Sequence, residues 1–160
     1  MRHFEAFINA LANRANWIAA ASLVIMMTLT TFDVILRLFR KPIPGTYEVV
    51  GMLGALVVSF SLAYTSIEKG HIAVEFIVQK LSERKQKIIT AIVEFTSFIF
   101  FIIVSWQSYV YALSLRNSGE VSMTIQMPTY PFVLGIALGS TILTLILLNE
   151  FIKAVKGLRL

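Results

Sequence analysis

Few side chains in this sequence can do chemistry, and most of them sit at the wrong depth for it. Asp33, Arg37, Glu48, Glu68, His71, Glu94 and Glu120 are the ionisable groups beside the long apolar stretches. A charge is functional by default only when it lies well inside a bilayer. Asp33 and Arg37 are four residues apart, the spacing at which side chains of one helix meet, which predicts an interfacial ion pair. Glu48 opens the second apolar stretch, where it is either a solvated helix-start acid favoured by the dipole or an acceptor for Arg37 or Arg40 across a hairpin. Glu94 lies deepest. If the third helix starts near Ile88, it is about 9 Å in at 1.5 Å per residue, and there it needs a partner or a proton. A structural pair, a contact with another subunit and a proton-coupling role are its three readings.

Other chemistries are excluded by what is missing. His3 and His71 are the two histidines, both outside the apolar stretches, so this chain cannot hold a bis-histidine haem within a bundle. Cysteine is absent, which removes disulfides, thiolate metal sites, Fe–S clusters and thiol nucleophiles. There is no Gly-Lys-Ser/Thr phosphate loop, no His-Glu-x-x-His and no Gly-x-Ser-x-Gly. Ser59, Ser61 and Ser66 have no intramembrane His or Lys to act as base. No catalytic, cofactor-binding or metal-ligating residue is expected, and the chain reads as a non-enzyme.

The elements that position these residues follow from composition. Of 160 residues, 57% are hydrophobic and 14% charged, with a mean hydropathy of +0.77; an ordinary soluble domain carries about 25% charge. Four uncharged stretches, residues 15–32, 49–67, 95–115 and 131–149, are each long enough to cross a hydrocarbon core of about 30 Å. The remaining pieces are too short to build cores of their own. The expected fold is an all-α integral membrane protein, one domain over 1–160, with spans at about 15–36, 47–67, 88–113 and 131–152.

Loop charge predicts orientation. Ten of the 14 Lys and Arg residues fall at the two termini and in the central loop, so those segments should be cytoplasmic. The net charge of +5 then reflects contact with an anionic leaflet and gives no reason to expect nucleic acid. Residues 37–46 and 116–130 should lie outside. Trp106, Tyr109 and Tyr111 near the outer end of span three, Tyr47 and Tyr130 at outer starts and Trp17 at an inner start suit an interfacial belt. The first stretch is longer than a signal-peptide core and runs into Asp33 without a cleavage pattern, so it is expected to remain as a span. Between spans two and three, Val74, Ile77, Val78, Leu81 and Ile88 fall on one helical face, opposite Glu75, Gln79, Ser82, Glu83 and Gln86. This predicts an amphipathic helix over 72–87 on the cytoplasmic surface, with Lys80, Arg84, Lys85 and Lys87 near headgroups. Ile72 and Phe76 fall on its polar side, which means either an irregular first turn or contact with another protein.

Packing signals are clearer than chemical ones. Gly51, Ala55, Ser59 and Ala63 recur every four residues in span two, and span four carries Gly135-x-x-x-Gly139. Small residues in line let helix backbones approach closely in lipid. They serve either the chain's own bundle or a separate subunit. Pro128 and Pro131 set the start of span four.

Asp33-Val-Ile-Leu-Arg37, Pro42-Ile-Pro-Gly-Thr-Tyr-Glu48, Gly70-His-Ile-Ala-Val-Glu75 and Gly119-Glu-Val-Ser122 through Met127-Pro128 occur in that order over nearly the whole chain. In motif order, spacing and four-span frame the chain resembles the small membrane subunit, DctQ type, of tripartite ATP-independent periplasmic (TRAP) transporters. Glu75 stands where the family more often has Asp, and Tyr130 where Trp is common. The resemblance implies a bacterial inner-membrane complex in which a periplasmic binding protein delivers an organic anion to a large polytopic subunit. That subunit would carry substrate and sodium ions, and this chain would hold no cofactor. The small subunit would brace the large one and take part in symport without catalysis. On that basis Gly51, Ala55, Ser59, Ala63, Ile72, Phe76, Gly135 and Gly139 are candidate contacts with the large subunit. Asp33, Arg37, Glu48, His71, Glu75, Glu94 and Glu120 are the polar motif positions, and Arg37, Arg40, Lys41 and Arg116 are candidates to face the binding protein.

Two other classes compete with this one. A stand-alone four-helix proton-coupled exporter would want its acid mid-span, and a membrane assembly factor would have no transport role. The transported molecule and the stoichiometry are not legible in the residues.

Overall fold

The computed structural model describes residues 2–67 and 82–158. Four helices fill them: α1 (Arg2–Leu38), α2 (Thr46–Ile67), α3 (Glu83–Ser118) and α4 (Tyr130–Leu158). Each contains a stretch long and apolar enough to cross a membrane: Phe7–Leu38, Thr46–Ile67, Lys85–Ser118 and Tyr130–Val155. The chain is therefore a multi-pass membrane protein. Most of the segment expected as a surface helix, with His71, Ile72, Glu75 and Phe76, lies outside the described residues. Its last part does not stand apart from span three, because α3 already begins at Glu83 instead of near Ile88.

The helices are ordered α1, α2, α4, α3: α1 packs on α2, α2 on α4, and α4 on α3, with a lighter contact between α1 and α4. One face of α1 carries Ala12, Ala15, Ala19 and Ser22, all buried. Their spacing of three and four residues keeps them in one stripe. Short side chains there let Ala63 and Phe60 of α2 and Leu143, Ile146 and Leu147 of α4 close around α1. On α4, Gly135 lies against Leu56 and Phe60, and Gly139 lies against Ser59. A Cβ at Gly139 would stand 2.8 Å from the Ser59 carbonyl oxygen. The small residues of α4 thus serve a close contact within this bundle.

Polar side chains finish these contacts. The Ser59 hydroxyl donates to the Ile136 carbonyl at 3.0 Å, crossing from α2 to α4. From the other side, Ser105 of α3 shares a 2.6 Å hydrogen bond with Thr141, whose own hydroxyl donates to the Ala137 carbonyl at 2.7 Å. Helix ends follow ordinary rules. Gly119 caps α3 in the left-handed conformation at φ 66°, and the Glu120 N–H reaches back to Leu115 O at 3.2 Å. Pro131 occupies the first turn of α4, where an N–H would have no helical partner. Since α3 runs to Ser118, Trp106 lies about 18 Å from its end at 1.5 Å per residue.

Candidate functional site

Four of the polar motif residues, Asp33, Arg37, Glu48 and Glu120, lie at the end of the bundle that carries the loops 39–45 and 119–129. Asp33 sits one turn before the end of α1 and is only 3% exposed. A carboxylate so placed needs donors, and it has them. Arg37 Nε donates to Oδ2 at 2.7 Å, forming the expected i,i+4 pair, and the Ile43 backbone N–H donates to Oδ1 at 2.8 Å. One acid therefore closes the last turn of α1 and pins the loop that follows it. The Arg37 guanidinium also lies over the Tyr47 ring, 5.2 Å from its centroid, which joins α1 to the first turn of α2.

The loop then turns at Gly45. Its φ of 77° is a region that glycine enters without penalty, and the space a Cβ would fill is taken by the Ile125 side chain from the other loop. Thr46, buried beside it, donates its hydroxyl to the Ile43 carbonyl at 3.0 Å, and α2 begins.

Glu48 takes neither of its expected partners. Its carboxylate accepts from the Thr124 hydroxyl at 2.6 Å and from the Thr124 backbone N–H at 3.0 Å, so it grips the loop between α3 and α4. That loop is ordered from within. The Ser122 N–H donates to Met127 O at 2.9 Å, the Met127 N–H donates to Ser122 Oγ at 3.2 Å, and Val121 bridges Pro128 in antiparallel fashion. Ser122 is buried and Glu120 is exposed. The Glu120 backbone carbonyl accepts from the Thr129 hydroxyl at 3.4 Å. The result is a cap of two loops, each held by a motif carboxylate from a neighbouring helix and touching at Gly45 and Ile125.

Both carboxylates are engaged by donors, and no three His, Asp or Glu residues converge among the described residues. What the cap presents outward is a surface: Arg40, Lys41 and Arg116 are exposed, as are Phe39, Tyr47 and Met123.

The other sequence candidates fall elsewhere. Ser59, Ala63, Gly135 and Gly139 are buried inside the bundle, Ala55 is half-buried, and Gly51 is exposed with open space where a Cβ would point. Glu94 is half-buried on α3, next to Phe95, whose ring packs on Phe151 of α4 at 5.2 Å. Thr124 and Ile125 were not singled out from sequence, and Ser122 and Thr46 entered only as letters of the motifs. Only the repeated appearance of Thr and Ser between the glycines and prolines of the two loops hints at them.

Comparison with known families gives one finding. The family model for Tripartite ATP-independent periplasmic transporters, DctQ component, matches residues 26–157. No curated protein sequence matches the chain. The match spans α1 from its middle through nearly all of α4, and so takes in both carboxylate-held loops and the small-residue contact between α2 and α4. The chain belongs to the DctQ family, the small component of TRAP transporters.

Proposed function

We propose that this chain is a non-catalytic brace for the large membrane subunit of a TRAP system in a bacterial inner membrane, with both termini cytoplasmic. That subunit would carry out sodium-coupled, binding-protein-dependent uptake of an organic anion. The observation that carries this reading is the use of the motif acids. Asp33 and Glu48 hold backbone N–H groups and a hydroxyl of the chain itself, a stiffening role, where a transport acid would stand open to solute. Membership of a tripartite family supplies the partners. The loop cap, with Arg37, Arg40, Lys41 and Arg116 at its edge, is the surface we assign to the periplasmic binding protein. Positive loop charge at the opposite end supports the orientation.

The test is reconstitution. Liposomes holding the large subunit with its binding protein should take up the organic anion on a sodium gradient when this chain is present, and should lose at least tenfold in rate without it. Liposomes holding this chain alone should move nothing. Uptake by the chain alone, or uptake indifferent to it, would overturn the bracing role.

A further inference from the structure

The side of α3 turned away from α4 does not suit lipid. Ile103, Gln107, Val110, Tyr111 and Ser114 recur at the intervals of one helical face, with Trp106 at its edge, and all are exposed. A shallow groove runs along Gln107, Ser108, Val110, Tyr111 and Ser114. Depth makes this unusual. Gln107 lies nine residues before Arg116, about 13 Å below that charge at 1.5 Å per residue, which is close to the middle of a hydrocarbon core of about 30 Å. Ser105, at nearly the same level, meets Thr141 midway through the apolar part of α4. Trp106, 67% exposed, therefore presents its indole N–H near the bilayer centre, although Trp favours the interface.

The exposed face of α1 shows what lipid contact looks like in this molecule. Within its charge-free stretch, residues 15–32, the exposed polar groups are Thr28, Thr30 and Thr31, and each hydroxyl donates to the carbonyl four residues back at 2.8 Å. Gln107 has two amide donors and an acceptor on a longer stem, which one helix cannot satisfy in that way. Polar groups at such positions bind neighbouring helices, since hydrocarbon offers them nothing.

We propose that the Trp106, Gln107, Tyr111 and Ser114 face of α3 is where the large membrane subunit docks a helix whose polar groups hydrogen-bond the Gln107 amide and the Trp106 indole. This rests on the bracing role above and adds to it the helix, the face and the chemistry of the contact. It also moves the docking surface away from the small-residue positions of α2 and α4, most of which are already buried within the bundle.

The absence of cysteine makes the experiment direct. Single variants Gln107→Cys and Ser114→Cys, with Val24→Cys on exposed α1 as the contrast, are expressed with the large subunit, labelled with benzophenone maleimide in membranes and irradiated. The expected result is adducts with the large subunit from positions 107 and 114, at least tenfold above those from position 24. In parallel, Gln107→Leu should reduce co-purification of the large subunit at least tenfold while leaving the melting temperature of the isolated chain unchanged, and Gln107→Asn should retain part of it. Adducts from position 24 alone, adducts between two copies of this chain, or labelling of lipid alone would overturn the docking face while leaving the bracing role intact, provided the subunits still co-purify. Failure of the unsubstituted subunits to co-purify at all would overturn both.

Discussion

Helices α3 and α4 contain equally apolar stretches and bury them very differently. Their most hydrophobic windows have mean hydropathies of 2.3 and 2.2, yet 6% of the first is buried in the bundle and 33% of the second. The difference comes from side-chain size. Gly135, Ala137, Gly139 and Ser140 make α4 thin over one turn and a half, so α2 can close on it from one side while α3 lies along the other. At the same depth α3 turns Phe101 toward the core on one side and leaves Phe100, Ile102, Ile103 and Trp106 exposed on the other, with no small residues there for a second helix of this chain to close on. Hydropathy therefore reports that a helix enters the membrane. The distribution of small residues reports whether it becomes the centre of the bundle or its edge.

Substitutions on the two helices should separate these roles. The largest loss is expected from Gly139→Val, which drives a branched side chain into the Ser59 carbonyl and hydroxyl. Overpacking of this kind costs about 1–3 kcal/mol where neighbours yield, and here the neighbour is backbone. The purified chain should melt well below wild type or fail to accumulate. At the cap, Gly45→Ala combines a φ of 77° with crowding against Ile125. It should cost about 1–2 kcal/mol, the usual penalty of left-handed backbone for a non-glycine residue, seen as a lower denaturation midpoint. Asp33→Asn keeps the shape but loses the charge that holds Arg37. Thermal melts should fall by several degrees, and hydrogen exchange should speed up at the Ile43 amide. Ser105→Ala removes one bond between α3 and α4, worth about 0.6 kcal/mol by the average for interhelical hydrogen bonds in a membrane bundle. Ile103→Ala, on the outward side of α3, should leave the isolated chain within about 0.5 kcal/mol of wild type. An Ile103→Ala loss as large as that of Gly139→Val would mean that α3 is not the edge of the bundle.

Local spacing made some of this legible in the residues. Four apolar runs of bilayer length announced four helices. The Asp33 and Arg37 pair followed from an interval of four on one helix, which needs no knowledge of the rest of the chain. Gly135-x-x-x-Gly139 announced close packing too, but a small residue says only that something approaches, and the approaching residue proved to be Ser59 of the same chain. Glu48 was harder. Its partner is Thr124, 76 residues away, so the contact depends on how α2 and α3 are laid beside α4. The stripe of Ala12, Ala15, Ala19 and Ser22 did carry a signal, three- and four-residue spacing of small side chains, but it is interleaved with Ala10, Ala20 and Ala21 on other faces and was not separated from them. The end of α3 was less legible, because the charge-free stretch stops at Leu115 whereas the helix continues through Arg116 to its cap at Gly119.

The loop cap has a mechanical consequence. Met123 is 98% exposed in the α3–α4 connection, and the next residue along is the one Glu48 grips. A pull on Met123 is therefore not borne by α3 and α4 alone. It passes through Thr124 to the start of α2, through Ile125 to the turn at Gly45, and from Ile43 to Asp33 at the end of α1. Whatever grasps that side chain tugs all four rods at once, like a hand on the ferrule that binds a bundle of canes.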